Sequence, residues 1–380
     1  MHILIDATCI SDVTFGTSQY ATCLLHGLSQ VDHDNQYSVL LKQSLSGENP
    51  IFKLVAQNNF RFVRTPIRIG GPLQQFKLCI PRNRVDPDVF HCLTYNLPVL
   101  LNSYKSVCTV HDLKFVIHPE YMHKSGAVKK FYFYWALKLA MLKCSEVISI
   151  SQSTKNDLID QFAINAGKIT VVHEASTLQE NVVPNYHKQQ AVLNKFSIHG
   201  NYFFMIGSRR PHKNIVNAIK AFLHFIKENS LSNWQLVITG RTQSYSSNDL
   251  FDSIRKAMDD AQIVTTGYVS ENELDILYRR ANALLYPSLY EGFGLPILEA
   301  MERGTPVITS DRSSMPEVAG DAAVVVDPTD CKSIAAGMDK VIKDRLSYVE
   351  KGYARAAEFS WKKTAEQTLQ VYRKVAGIMK

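Results

Sequence analysis

Short apolar runs alternate with longer amphipathic stretches along the whole chain. HILIDA, YSVLL, NFRFV, DVFHCL, SVCTVHDL, EVISIS and KITVVHEA follow one another through residue 175, with helical spacing between most of them. This predicts an α/β unit in which a parallel sheet is covered by helices on both faces and binds ligands at the carboxyl ends of its strands. The pattern breaks into polar residues around Pro184, from Asn181 to His199, and predicts a linker there. A second alternation follows in YFFMIGS, WQLVITG, QIVTTGYV, ANALLYP, TPVITS and AAVVVDP, separated by patterns such as IVNAIKAFLHFIKE. Two open α/β domains with a cleft between them are expected. A last amphipathic pattern, FSWKKTAEQTLQVYRKVAGI, predicts a terminal helix, and its periodicity alone fits a cap on the second domain.

The densest candidate chemistry lies in SLYEGFGLPILEAM, Ser288 to Met301. Glu291 precedes Gly292, Phe293 and Gly294, which permit a tight turn. Leu295 and Pro296 then open a helical pattern that contains Glu299. Free amides in the first turn of a helix suit an anion, and glycines let it come close. Carboxylates on either side suit sugar or ribose hydroxyls, which donate hydrogen bonds to them. Together these features read as a nucleotide-sugar site; the structural alternative is a bare turn beside a solvated glutamate.

E-G-F-G-L-P-x-x-E resembles the E-x7-E signature of glycosyltransferase family 4, retaining enzymes of the GT-B fold. The resemblance implies two Rossmann-like, doubly wound parallel-sheet domains facing a cleft. Residues 1–185 would form the acceptor-side domain, 195–360 the nucleotide-sugar domain, and 361–380 a helix crossing back to the first domain. The implied donor is a nucleotide sugar, GDP-mannose first and a UDP-sugar otherwise, with no metal. The acceptor would be a glycan or a lipid-linked sugar in cell-surface polysaccharide synthesis.

Other segments extend the resemblance. In MIGSRRPHKN, Arg209, Arg210 and Lys213 follow a strand where a diphosphate would sit, and P-H-K-N resembles the family's Pro-Arg-Lys-Asn variant. Lys213 carries over; position 208 is serine, so either arginine could take the arginine's role. Thr239 and Gly240 end the next strand, and Tyr268 and Val269 match the segment whose backbone meets the nucleobase. Ser270 and Glu273 have capping-box spacing. In the first half, T-V-H-D-L followed by H-P-E-Y resembles the mannosyltransferase branch, which implies that His111 touches the donor sugar's hydroxyls. Asp112 either orients that imidazole or caps a turn, and His118 shapes a loop. Gly16 begins a helix after the first strand. Where the family often has a second glycine and an arginine, this chain has Ser18 and Gln19, so Gly16 is either a phosphate-side glycine or a turn residue. Ser151 ends a strand, with Ser153 and Thr154 poised to cap the next helix.

Composition narrows the setting. With 46% apolar and 20% charged residues, the chain fits a water-soluble globular protein, and its 380 residues suit two domains. No apolar run reaches membrane-spanning length, and no export signal precedes the first strand. Seven scattered cysteines without a Cys-x-x-Cys pair argue against a disulfide framework or zinc site and for a reducing cytoplasm. The net charge of +7 suits phosphate ligands or anionic lipid, and nucleic acid is not among the expected partners. Residues 61–85 hold Arg61, Arg64, Arg68, Lys77, Arg82 and Arg84 with no acid, and KKFYFYWALKLAMLK is basic and aromatic. Both make the inner face of a membrane a candidate contact, against a solvated loop and a core helix as alternatives.

The expected chemistry is retaining hexosyl transfer. Lys213, an arginine and the amides near Phe293, Gly294 and Leu295 would take the leaving charge, Glu291 would hold sugar hydroxyls and Glu299 the ribose. Asp86 and Asp88, the candidate Asp-x-Asp pair, flank Pro87 at a strand start and do not read as a metal site. A catalytically silent nucleotide-sugar-binding protein or partner subunit is the alternative from another class. A glycosidase with paired carboxylates is disfavoured by the cations beside them.

Overall fold

The computed structural model describes residues 1–12, 16–66, 86–95, 97, 104–121, 126–176, 183–207, 210–240 and 262–378. The chain divides into two compact units, Met1–Thr177 with Phe359–Lys380, and Leu178–Glu358. Each expected strand run forms a strand. In the first unit these are β1 (His2–Asp6), β2 (Gln36–Lys42), β3 (Phe60–Thr65), β4 (Val89–Cys92), β5 (Ser106–Val110), β6 (Glu146–Ser149) and β7 (Ile169–Val171). They make one parallel sheet in the order β3-β2-β1-β4-β5-β6-β7. Ile3, Leu4 and Ile5 are wholly buried, as a central parallel strand covered on both faces demands. Arg61 and Arg64 sit on the edge strand β3, where charge discourages pairing with another chain.

The second unit contains β8 (Asn201–Ile206), β9 (Trp234–Thr239), β10 (Ile263–Gly267), β11 (Ala283–Tyr286), β12 (Val307–Ser310) and β13 (Ala323–Val326). Their parallel order is β10-β9-β8-β11-β12-β13. Both sheets reverse winding direction beside their first strand, at β1/β4 and β8/β11. In doubly wound folds such a switch point opens a crevice outside the strands' carboxyl ends. The Ile215–Glu228 and Cys331–Lys343 helices close one face of the second sheet around Phe203, Phe222, Phe225 and Trp234.

The segment read as a linker, residues 181–199, contains a helix at Tyr186–Lys195 that belongs to the second unit. Asn185 caps it by accepting from the Lys188 amide, and only Leu193 is buried. A single buried position leaves no periodic apolar stripe to read in the sequence. The cap after β6 is Ser151, whose hydroxyl accepts from the Thr154 amide, so Ser153 and Thr154 lie within the helix instead of capping it. The Ser270–Glu273 capping box forms as expected.

The C-terminal helix, Trp361–Ala376, belongs to the first unit. Its buried face, Thr364, Ala365, Thr368, Leu369, Val371 and Tyr372, packs on the Gly16–Val31 helix. The approach is close enough that a Cβ on Gly27 would meet the Trp361 carbonyl at 2.7 Å. The Trp361 indole donates to Ser176 O (2.9 Å) and the Thr364 hydroxyl to His173 O (2.8 Å). Deeper, wholly buried His91 shares hydrogen bonds through Nδ1 with the Tyr372 hydroxyl (2.6 Å) and through Nε2 with Thr109 Oγ1 (2.9 Å).

Burial, aided by His111 nearby, pushes the His91 imidazole down from 6.5 to about 3, so it is neutral in the fold. The unfolded chain takes up this proton below pH 6.5 and the folded chain does not. The contribution to stability is therefore complete above that pH and is lost as pH falls toward about 3. Between pH 6.5 and 5 the loss amounts to about 2 kcal/mol. Urea unfolding of His91→Asn at pH 7 and pH 5 should show a shallower fall in stability than the parent chain; equal slopes would contradict a neutral, buried His91.

Candidate functional site

At the end of β8, Gly207 takes a positive φ of 151° and donates its amide to Thr239 O at 3.0 Å. A Cβ there would lie 3.1–3.3 Å from three carbons of the Lys213 side chain, so glycine lets the lysine stem fold across the strand end. Residues Pro211–Lys213 form a single 3-10 turn that ends at Asn214 in the left-handed region, φ 57°. The Asn214 side-chain carboxamide donates to Pro287 O (3.0 Å) and Pro328 O (2.6 Å), and the Leu289 backbone amide donates to His212 O (2.7 Å). The basic turn is thereby fastened to the loop after β11, across the switch point.

That fastening brings Lys213 Nζ to Glu291 Oε1 at 2.7 Å and to the Tyr286 hydroxyl at 2.9 Å. Both side chains of the ion pair are only 15% exposed, so removing either would leave a charge largely desolvated. Burial works against the charge on Glu291, but Lys213 and then His212 outweigh it and hold the carboxyl below its usual range.

The turn after Glu291 is held from β12's following loop. The Ser314 hydroxyl lies 3.0 Å from Glu291 O and 2.6 Å from Phe293 O, and Ser313 also donates to Glu291 O. Gly294, at φ 115°, then starts the Leu295–Glu302 helix, with Pro296 in its first turn. First-turn amides have no intrahelical acceptor and carry the positive end of the helix dipole. Within this helix Glu299 is nearly buried and accepts from the Tyr278 hydroxyl at 2.8 Å. Burial first, and then the Glu299 charge, push that phenol well up.

Thr239 and Gly240 both donate to Gly267 O, at 3.0 and 2.9 Å, which ties the ends of β9 and β10 together. Tyr268, just beyond, is 73% exposed, and Val269 is half-buried. Arg210 precedes the lysine turn and is exposed; Arg209 lies outside the described residues. Among the sequence-predicted residues of this unit, direct contact joins Lys213 to Glu291.

In the first unit, His111 stands at the end of β5 with both ring nitrogens facing acceptors, Nδ1 to Glu174 Oε1 at 3.2 Å and Nε2 to Leu93 O at 3.0 Å. Tyr20 meets the ring edge-on at 4.6 Å. Burial disfavours the imidazolium, but the Glu174 hydrogen bond and charge, with the Leu93 carbonyl, outweigh it and raise the proton affinity above its ordinary value. Asp112 turns away to the Lys114 amide (3.0 Å) and ammonium (3.3 Å) and so caps a turn. His118 pairs with Glu120 and stacks on Tyr121, shaping its loop as expected. Among the described residues, a Cβ added at Gly16 would meet no atom within 4 Å, so their packing does not require a glycine there. Ser18 is buried and accepts from the Ser11 amide. A pocket of about 420 Å³ opens beside His111, lined also by Thr17, Lys42, Tyr95, Asp112, Phe115 and Phe133.

Two family descriptions match: "Glycosyltransferase Family 4" over residues 16–176 and "Glycosyl transferases group 1" over residues 189–359. The chain is similar to O-antigen chain mannosyltransferase B of Escherichia coli, 30% identical over 290 residues, 75% of this chain and 74% of that one. The chain is a family 4 glycosyltransferase. A further relative of this glycosyltransferase is O-antigen chain mannosyltransferase RfbU of Salmonella typhimurium, 31% identical over 271 residues, 70% of this chain and 68% of the other. Its fold is shared by Anabaena Alr3699/HepE, solved in complex with UDP and glucose, with a TM-score of 0.73, 16% identity, and coverage of 98% and 100% of the two chains.

Several residues that shape the glycosyltransferase's site carried little signal in sequence. Glu174 is an acid at the end of an apolar strand run, which was the one available clue. Ser313 and Ser314 carried no signal of their own, and Asn214 stood in a basic turn. Replacing Glu174 with Gln removes the charge that favours the imidazolium, so the His111 ring should titrate at lower pH. Titration of the imidazole resonances by NMR reads this, and an unmoved pKa would show that Glu174 does not set the protonation of His111.

Proposed function

We propose that this glycosyltransferase moves a hexose, mannose first, from a nucleotide-diphosphate sugar to a growing glycan or lipid-linked acceptor in cell-surface polysaccharide synthesis, with retention at the anomeric carbon. The observation that carries the reading is the Lys213 ammonium held 2.7 Å from Glu291, just ahead of the Gly294-led helix start. The lysine and the first-turn amides answer the negative charge that builds up on a departing diphosphate, the kind of preorganised electrostatic aid that dominates many enzymes. Since protein groups supply that positive charge, the transfer needs no divalent metal.

Glu291, ionised by its lysine, accepts from sugar hydroxyls, and Glu299 from the ribose. His111 is the proposed contact to donor hydroxyls from the first unit; Gly16, Arg209 or Arg210, Thr239 and Gly240 complete the donor contacts, while the backbone at Tyr268 and Val269 meets the base. Mannose and GDP are favoured because the two relatives named above are mannosyltransferases; the UDP held by the Anabaena neighbour keeps UDP-sugars as the second donor class.

Turnover of GDP-mannose and of UDP-sugars with oligosaccharide and lipid-linked acceptors tests the proposal. The parent chain should transfer from one donor in the presence of chelator. Lys213→Ala should lose about 100- to 1,000-fold in kcat, the usual cost of deleting one preorganised charge-stabilising donor. Donor binding without turnover would instead favour a catalytically silent nucleotide-sugar-binding protein. Activity lost to chelation and restored by Mg2+ or Mn2+ would reject the metal-free mechanism.

A further inference from the structure

The Ala127–Lys143 helix is apolar on two opposite faces. Leu137, Ala140 and Met141 point into the core of the first unit with Val147, Leu158 and Phe162. On the other side Phe131 is 66% exposed, Leu142 50%, Tyr132 and Trp135 42%, and Leu139 40%. At about 100° per residue, Phe131, Trp135, Leu139 and Leu142 fall in one stripe, with Lys138 on one flank and Lys143 on the other. Phe131 and Trp135 lie with ring centroids 6.0 Å apart, and Lys138 Nζ sits 5.4 Å from the Trp135 ring centroid.

A clustered aromatic and leucine stripe of this kind needs a cover. The charge pattern selects which one: the helix has two flanking lysines and no aspartate or glutamate anywhere along it. Aromatic and leucine side chains between lysines suit the headgroup region of an anionic bilayer, where the rings sink and the ammonium groups stay with lipid phosphates. Among the described residues no helix is long and apolar enough to cross a membrane, so this one would lie flat. We propose that the exposed face of Ala127–Lys143 docks the protein onto an anionic lipid surface. Phe133, on the core side of the same helix, lines the pocket beside His111, so docking places that pocket one helix thickness from the bilayer. The docking itself does not rest on the proposed transfer.

Flotation of the full chain with phosphatidylcholine vesicles, with and without phosphatidylglycerol, tests the docking. Binding is expected to the anionic vesicles and to weaken as salt rises. Phe131→Ser combined with Trp135→Ser and Leu139→Ser should weaken it at least tenfold. Lys138→Glu with Lys143→Glu should abolish the preference for anionic lipid while retaining the apolar stripe. Donor binding and far-ultraviolet circular dichroism should match the parent in both variants, which separates docking from folding and from the transfer chemistry. Absence of vesicle binding, or binding unchanged in both variants, would overturn the proposal. So would a dimer, seen by sedimentation equilibrium, that the serine substitutions dissociate, because the cover would then be a second copy of the chain.

Discussion

A lysine and a glutamate, both largely withdrawn from water, meet at the head of the second sheet, and the surrounding loops are arranged to keep them there. Such a pair is weak evidence for stability, since desolvation offsets much of the attraction. Its value lies in placement. An ammonium group has three donors. Lys213 gives one to Glu291 and one to Tyr286, which fixes its direction and, among the described residues, leaves the third without a partner. Glu291 is in turn kept ionised by that lysine.

The rest of the unit explains how two residues 78 positions apart acquire that geometry. The parallel sheet reverses its winding between β8 and β11, so the loops that follow these strands leave on either side of one crevice. Asn214 and the Leu289 amide bind the two loops to each other, while Ser313 and Ser314 grip the carbonyls of Glu291 and Phe293 from a third. Glycine at 207 admits the lysine stem, and glycine at 294 turns the chain into the helix. The first unit repeats the switch at β1/β4, and an imidazole held by Glu174 stands one strand further on, at the carboxyl end of β5.

Much of this was legible in the sequence, for definite reasons. Strands buried on both faces must be continuously apolar, so the central strands stood out as runs, and the edge strands β3 and β10 kept enough of the pattern to be read. The Glu-Gly-Phe-Gly-Leu-Pro stretch stood out as a turn and helix start because its turn demands glycine and its helix start tolerates proline. What stayed hidden depended on contacts distant in sequence. The Tyr186–Lys195 helix buries one leucine and so shows no stripe. Glu174 lies 63 residues from the histidine it holds, and serines that grip carbonyls look like any helix cap. Asp112, adjacent to His111 in sequence, fits an orienting role or a turn cap equally well on spacing, and the fold gives it to the turn while Glu174 orients the imidazole.

The central claim is that a nucleotide's diphosphate sits at the start of the Leu295–Glu302 helix against Lys213. A crystal of the protein soaked with GDP-mannose, and in parallel with a UDP-sugar, examines it directly. The account predicts diphosphate density within hydrogen-bonding distance of Lys213 Nζ and the amides that follow Gly294, with Glu299 near the ribose. Diphosphate bound at any other surface, or sugar alone lodged between Glu291 and Glu299, would contradict it.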